Sequence, residues 1–335
     1  MNPITKKAFL CLLLIAGCQL LTAQVDPHFS QYYVYPSWLN PALTGAFDGE
    51  YRVSGIYRNQ WGNISSPFST QSLAGEFTTN KNANFGVSLL NQKAGNGGYN
   101  YTTAYGTYSY TGIRWGRNEY QRIAIGIQGG IIRQSFDPSK MTFGDQWNPI
   151  TGYNGQTGSG DVLTVTSHTS FDGGIGLLYF DADPGKKANI FGGVSVSHVT
   201  KPSDKFSGTQ DATIPVRYLV HGGVRLFIDE GVTVTPNLLY VHQGSAEEKM
   251  AGAVVSLKAS EETDVKLGLN YRFNDAIAPY VGYTWQNMII SASYDVNTSA
   301  LGKMVHGSNA FEISLSFTAR KKNKTTPAEF VCPRL

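Results

Sequence analysis

"ETDVKLGLNYRF", residues 262–273, alternates without interruption. Thr263, Val265, Leu267, Leu269, Tyr271 and Phe273 fall on one side of an extended chain. Glu262, Asp264, Lys266, Gly268, Asn270 and Arg272 fall on the other. Successive side chains of a strand point to opposite faces, so this stretch reads as a strand with one apolar and one charged face. Its length is that of a strand crossing a bilayer at a tilt, with the apolar face to lipid and the polar face to a lumen.

The pattern recurs. Val216, Tyr218, Val220, Val224, Leu226 and Ile228 alternate with Arg217, His221 and Arg225. Near the end Phe311, Ile313, Leu315 and Phe317 alternate with Glu312, Ser314, Ser316 and Thr318. About fourteen such segments follow one another, with twelve as the alternative count, and the barrel is expected over 51–318. With both ends of the chain on the periplasmic side, the outward connections are mostly long (59–68, 93–100, 137–167, 200–212, 297–308). The inward ones are mostly short, and this asymmetry marks an outer-membrane barrel rather than a soluble sandwich. Tyr99, Tyr101, Trp115, Tyr120, Tyr179, Phe180, Tyr283, Trp285 and Tyr294 cluster near strand ends, as interfacial girdles do.

Composition agrees. Charged residues make up 15% of the 335, against roughly 25% in soluble domains, with 37 Gly and 19 Tyr. The formal net charge of +3 is too slight to argue for nucleic acid. Lys6 and Lys7 precede an apolar stretch over 8–21, and small residues Thr22 and Ala23 follow. This reads as a secretory signal, residues 1–23, cleaved after Ala23. Cleavage before Cys18, leaving a lipidated cysteine, is the alternative. Cys332 is then a lone thiol in the tail. After the signal no apolar run is long enough for a spanning helix.

Catalytic patterns are absent from the sequence: no G-x-S-x-G, H-E-x-x-H, C-x-x-C or phosphate-binding loop. The histidines lack metal-ligand spacing, and His198 and His242 read as rim residues. Asp181-Ala182-Asp183 reads as a solvated turn. No cofactor is expected. The polar residues expected to face the lumen are Arg217, Arg225, Glu262, Asp264, Lys266, Arg272 and Glu312. In an open pore they would tune ion selectivity, and in a closed one they would pair or hold a plug.

Five segments carry a family resemblance: "DPHFSQYYVYPSWLNPALTG" (26–45), "YRNQWGNISSPFSTQSLAGE" (57–76), "FDPSKMTFGDQW" (136–147), "FEISLSF" (311–317) and "FVCPRL" (330–335). Spread in order over the chain, they resemble the PorP/SprF family of the type IX secretion system of the Bacteroidetes. The resemblance implies a non-enzymatic outer-membrane barrel of the secretion and gliding machinery. Its implied partners are an adhesin-like secreted surface protein, periplasmic secretion components and outer-membrane lipid, with no nucleic acid. A diffusion channel for small solutes is the alternative.

The family motif falls on Gln31, Asn40, Pro41, Arg58, Asn59, Gln60 and Trp61. These are expected either to bind a common partner or to hold the segment 24–50, with Arg58, Asn59 and Gln60 satisfying its backbone groups. That segment has neither helical nor strand period, and Pro27, Pro36 and Pro41 keep it out of a central ladder. It is expected at the periplasmic mouth, as a plug or a docking strap. The tail 319–335 opens with the basic run 320–324, expected on the same side.

Overall fold

Each alternating segment becomes a strand, because its inward polar groups find partners in the lumen while its outward Leu, Ile and Val side chains stay on the surface. The computed structural model describes residues 26–62, 67–79, 82–95, 98–156, 165–206, 212–299, 302 and 309–319. The expected signal, Cys18, Cys332 and the basic tail lie outside the described residues. Among these residues fourteen antiparallel strands close a barrel. They are β1 (Tyr51–Gln60), β2 (Phe68–Thr78), β3 (Ala83–Ala94), β4 (Tyr99–Trp115), β5 (Gln121–Ser135), β6 (Ser167–Asp181) and β7 (Ala188–Ser197). The second half comprises β8 (Arg217–Phe227), β9 (Val232–Gln243), β10 (Ala246–Lys258), β11 (Thr263–Arg272), β12 (Ala276–Trp285), β13 (Met288–Asn297) and β14 (Ala310–Ala319).

Every strand pairs with its sequence neighbours, and β1 closes on β14 from Tyr51↔Ala319 to Gln60↔Ala310. A ten-residue strand is roughly 33 Å long, enough to cross a bilayer core at a tilt. Leu73, Val87, Ile127, Phe171, Ile175, Leu267, Leu269, Val281 and Leu315 lie exposed on the outer face and form its apolar belt. At one end, where β1 starts and β14 stops, six short turns join the strands. At the other end run the long connections 136–166 and 198–216, beside tight ones at 244–245 and 273–275. The connection expected over 93–100 shrinks to 95–98, because β3 and β4 continue their ladder to Ala94↔Tyr99.

Two expectations change. Glu262 is not in the wall: the ladder of β11 begins at Thr263, so Glu262 sits exposed in a turn, bonded by Gln286. Tyr101 and Phe180 leave the outer girdle and are buried inside, turned inward with Tyr99 by strand parity, and Tyr99 and the turn residue Tyr120 pack against that core. Trp115, Tyr283, Trp285 and Tyr294 remain exposed on the outer face.

Candidate functional site: the filled lumen

The lumen is filled by the segment preceding β1. Asp26 lies at the long-loop end, against His198, Arg217 and Gln243. The chain then runs down the lumen and leaves at the short-turn end, where the Glu50 amide donates to the Ala319 carbonyl (2.8 Å). The segment is therefore not confined to the mouth where β1 begins. It crosses the whole lumen because polar partners for its backbone are distributed along both halves of the wall. Its irregular backbone contains only short helical turns, Tyr32–Val34, Pro36–Leu39 and Pro41–Leu43, two of them opened by proline. Phe29, Tyr32, Tyr35, Leu39, Ala42 and Leu43 are buried between segment and wall. Burial of that apolar area is favourable only because the intervening amides and carbonyls are bonded.

Ions hold the upper part. Glu312 accepts the backbone N–H of Ser30 (2.7 Å) and of Gln31 (2.9 Å) through its two carboxylate oxygens. Arg58 pairs with Glu312 at 2.5 Å and with Asp295 at 3.0 Å. Arg272 pairs with Asp295 at 2.8 Å and with Asp275, and it donates to Ser30 Oγ at 3.0 Å. Ser30 Oγ in turn donates to Asp295 (2.7 Å), and Asn270 donates to the Ser30 carbonyl (3.2 Å). Arg58 is 2% and Glu312 0% exposed, so each charge depends on its partners for solvation. Gln31 donates to Ser293 and accepts from Ser291 and Ser314, which fixes its amide orientation.

A second ionic hold secures Asp26. The imidazole of His198 lies between two carboxylates, Nδ1 2.9 Å from Asp172 and Nε2 2.8 Å from Asp26. Tyr105 and Thr200 donate to Asp172, and Arg217 donates to Asp26 (3.0 Å) and to the Trp38 carbonyl (2.6 Å). Burial alone would depress the His198 pKa, but the two carboxylates outweigh it and raise it to about 9. Burial likewise raises the Asp26 carboxyl, and His198 and Arg217 outweigh it, holding it well below the usual range. His198 adopts φ +60°, a left-handed backbone that the surrounding bonds must stabilise.

Shape holds the lower part. Gly126 and Gly176 are partners across β5 and β6, and Gly193 on β7 completes a smooth patch on the inner wall. A Cβ at Gly126 would collide with the Pro41–Ala42 peptide, and one at Gly176 with the Asn40 side chain. One at Gly193 would lie 2.6 Å from both Asn40 Nδ2 and His221 Nε2. Asn40 sits in this hollow, donating to the carbonyls of Leu177 (3.0 Å) and Val194 (3.3 Å). Its Oδ1 accepts the Ala42 amide and caps the next turn.

The residues singled out in the sequence divide accordingly. Gln31, Asn40, Pro41 and Arg58 lie buried at the segment–wall contact, and Gln60 accepts from Arg58. Asn59 faces away from the lumen and bonds Tyr57, while Trp61 packs edge-on to Phe68 in the following connection. Arg217, Arg272 and Glu312 face inward and hold the segment; Arg225, Asp264 and Lys266 face inward nearer the short-turn end, half-exposed. The backbone of the segment is bonded by Glu312, Asn270, Arg217, Ser195 and Gln243, not by Asn59 or Gln60. His198, read as a rim residue, is instead buried at 2% exposure between two carboxylates, and neither Asp172 nor Asp295 is singled out by the sequence. For Asp295 the signal is its parity with Ser291 and Ser293 against Ile290 and Tyr294. Among the described residues no group of His, Cys, Asp and Glu could hold a metal ion.

No curated protein matches the chain in sequence. Among solved structures it is similar to the Ralstonia pickettii toluene transporter TbuX (10% identity, TM-score 0.48, 84% of this chain and 92% of that one). It is also similar to the P. putida toluene transporter TodX (11%, 0.48, 89% and 95%) and the KdgM porin (9%, 0.36, 80% and 98%). The sequence model of the type IX secretion system membrane proteins PorP/SprF matches residues 21–317. The five motif segments, the closed barrel and this match agree: the chain belongs to the PorP/SprF family of type IX secretion system membrane proteins.

Proposed function

We propose that this chain is a non-enzymatic outer-membrane barrel of the secretion and gliding machinery. It acts as partner, delivery point or retention site for one secreted, adhesin-like cell-surface protein. In this reading the short-turn end faces the periplasm and the long connections face outward. The observation that supports it most is the filled lumen. A segment held by ionic bonds at one end and by a fitted hollow at the other makes the barrel a rigid scaffold rather than a conduit. The spaces beside Trp38 and beside Tyr33, about 20 and 30 Å³, have room for a water or two. The buried charges Arg58, Arg217, Arg272, Asp295 and Glu312 hold the segment and one another.

The test is deletion of the gene. Surface display of one exported protein should disappear while secretion of the others continues. Unchanged display of every exported protein would sink the proposal. Purified protein in planar bilayers should be silent; steady conductance would favour a solute channel instead.

A further inference from the structure

The outer wall is indented across β3–β5. Val87 and Leu89 on β3 and Ile131 on β5 stand exposed to the outside. Between them Ala104, Gly106 and Gly129 present little or no side chain. Register sets these residues side by side: Val87 pairs with Gly106 and Gly106 with Gly129, while Leu89 pairs with Ala104 and Ala104 with Ile131. The hollow is an open groove of about 380 Å³, within the roughly 300–1,000 Å³ typical of small-molecule sites. Beyond its chain neighbours, a Cβ at Gly106 would meet only the Gly129 carbonyl, at 3.9 Å, so no side chain of the wall fills this space.

The groove runs up to a polar border. On this side of the barrel the apolar belt ends with the row Leu73, Leu89, Ala104, Ile131 and Phe171. The next outward row toward the long loops is Gln71, Asn91, Thr102, Arg133 and Thr169, and Lys93 stands one row higher beside Asn100. Arg133 is thus roughly 7 Å above Ile131 and Lys93 roughly 13 Å above Leu89, on strands about 10 Å apart. Both cations are exposed, and among the described residues neither has a hydrogen-bond or ion-pair partner. Nor does an outward carboxylate on β2–β5 compensate them: the single acid of those strands, Glu76, faces the lumen and accepts the Gly45 amide. Asp137, in the loop above, is taken by Lys140 and Ser139.

We infer that this groove is a site for a phosphate-bearing membrane lipid, with one acyl chain lying over Gly106 and Gly129 and the phosphate held by Arg133 and Lys93. Long cationic side chains at a membrane interface reach to the headgroup level, and a guanidinium takes phosphate oxygens in pairs. Charge selects the occupant. A second copy of the barrel or an apolar helix of a partner would fill the groove but bring no anion to the two cations above it. A lipid supplies both the hydrocarbon and the phosphate in that order along the wall. The site lies on the outer face and is independent of the cargo role proposed above.

The experiment is native mass spectrometry of the full chain from detergent micelles, titrated with dioleoyl phosphatidylglycerol. Saturable retention of the lipid is expected. Dioleoylglycerol, which lacks the phosphate, and glycerol phosphate, which lacks the chains, should each be held at least roughly tenfold more weakly. Lys93→Gln/Arg133→Gln should weaken phosphatidylglycerol binding roughly tenfold, as loss of two interfacial cations implies. Gly106→Leu, which fills the groove, should weaken it by a similar factor. Two controls should bind like the unaltered chain: Lys187→Gln/Lys249→Gln, with the same charge change elsewhere, and Gly55→Leu, with the same side chain on the outward face of β1. Heat-modifiable migration verifies folding, and the exposed cations keep the site testable if Gly106→Leu does not fold. Equal retention of dioleoylglycerol, displacement by glycerol phosphate, or equal losses in the controls overturns the inference. So does a dimer that excludes lipid, which would make a second copy the occupant.

Discussion

The two ends of the lumen are built from the same residue types and treat charge in opposite ways. Toward the long loops Arg58, Arg272, Asp295 and Glu312 alternate in sign, lie buried, and bond both one another and Ser30. Toward the short turns Arg225 and Lys266 face the same lumen but stay half-exposed. An ion shielded from water must be paired or it destabilises the fold, whereas an ion with access to water contributes little. Sealing, rather than the presence of Arg or Lys, decides whether a luminal charge is structural. The first end fastens the segment; at the second, water shares in solvating the charge.

The comparison breaks most easily at Arg58. In Arg58→Met, Glu312 stays buried beneath the Ser30 and Gln31 amides without its guanidinium, and Asp295 retains Arg272 and the Ser30 hydroxyl. Removal of one partner from such a buried pair costs about 3–5 kcal/mol. Urea unfolding in detergent should show that loss. A change below about 1 kcal/mol, the range of exposed pairs, would put the sealed end on the same footing as the open one.

The hollow under Asn40 is next. Gly176→Ala forces a methyl group against the Asn40 side chain, and such overpacking costs about 1–3 kcal/mol. Gly75→Ala is the matched control: its Cβ would meet only a Val87 methyl at 3.8 Å. That change should stay within about 0.5 kcal/mol. Equal effects at the two glycines would mean that the segment adjusts freely and that shape holds nothing.

These two holds were unequally legible. The inward place of Arg217, Arg272 and Glu312 follows from alternation, because period two assigns each residue a face once the strand is known. Alternation does not say where hydrogen bonding stops, and so Glu262, in phase with Lys266, reads as wall while it lies in a turn. Nor does it locate a segment that lacks a period. Prolines and aromatics mark residues 26–45 as buried and non-strand. Their path through the lumen depends on contacts such as Asp26 with His198, 172 positions apart, which no local pattern encodes. Asn40 stands out only as a motif residue, and its reason is the three glycines on β5, β6 and β7 that admit it.

Acidity offers a milder probe of the sealed end. His198 titrates from an ordinary 6.5 up to about 9 in the folded chain, so its stabilisation is complete below about pH 6.5 and is lost as pH rises through about 9. Asp26 has the opposite sign: its contribution is present above the ordinary 3.8 and fades only as pH falls toward its depressed folded value. The hold on Asp26 should therefore be firmest between those limits. The effect is smaller than that of Arg58→Met, because a neutral imidazole keeps one hydrogen bond and Arg217 still pairs with Asp26. Protease cleavage near residue 26 should rise from pH 7 to 10 and stay pH-independent in His198→Asn. A flat profile in the unaltered chain would detach His198 from the hold.

The smallest effect belongs at the open end. Lys266 faces the lumen from β11, four residues from Asn270 and six from Arg272, yet water reaches it. Lys266→Gln removes a positive charge from a position that water reaches, so unfolding should shift by no more than about 0.5 kcal/mol. The contrast with Arg58→Met is then attributable to sealing, since both substitutions delete one luminal cation. A loss at Lys266 of about 3 kcal/mol, the scale of a broken buried pair, would show that this end of the lumen is closed to water in the folded barrel. Lys266 would then be internal scaffolding, as the ion cluster around Arg58 is.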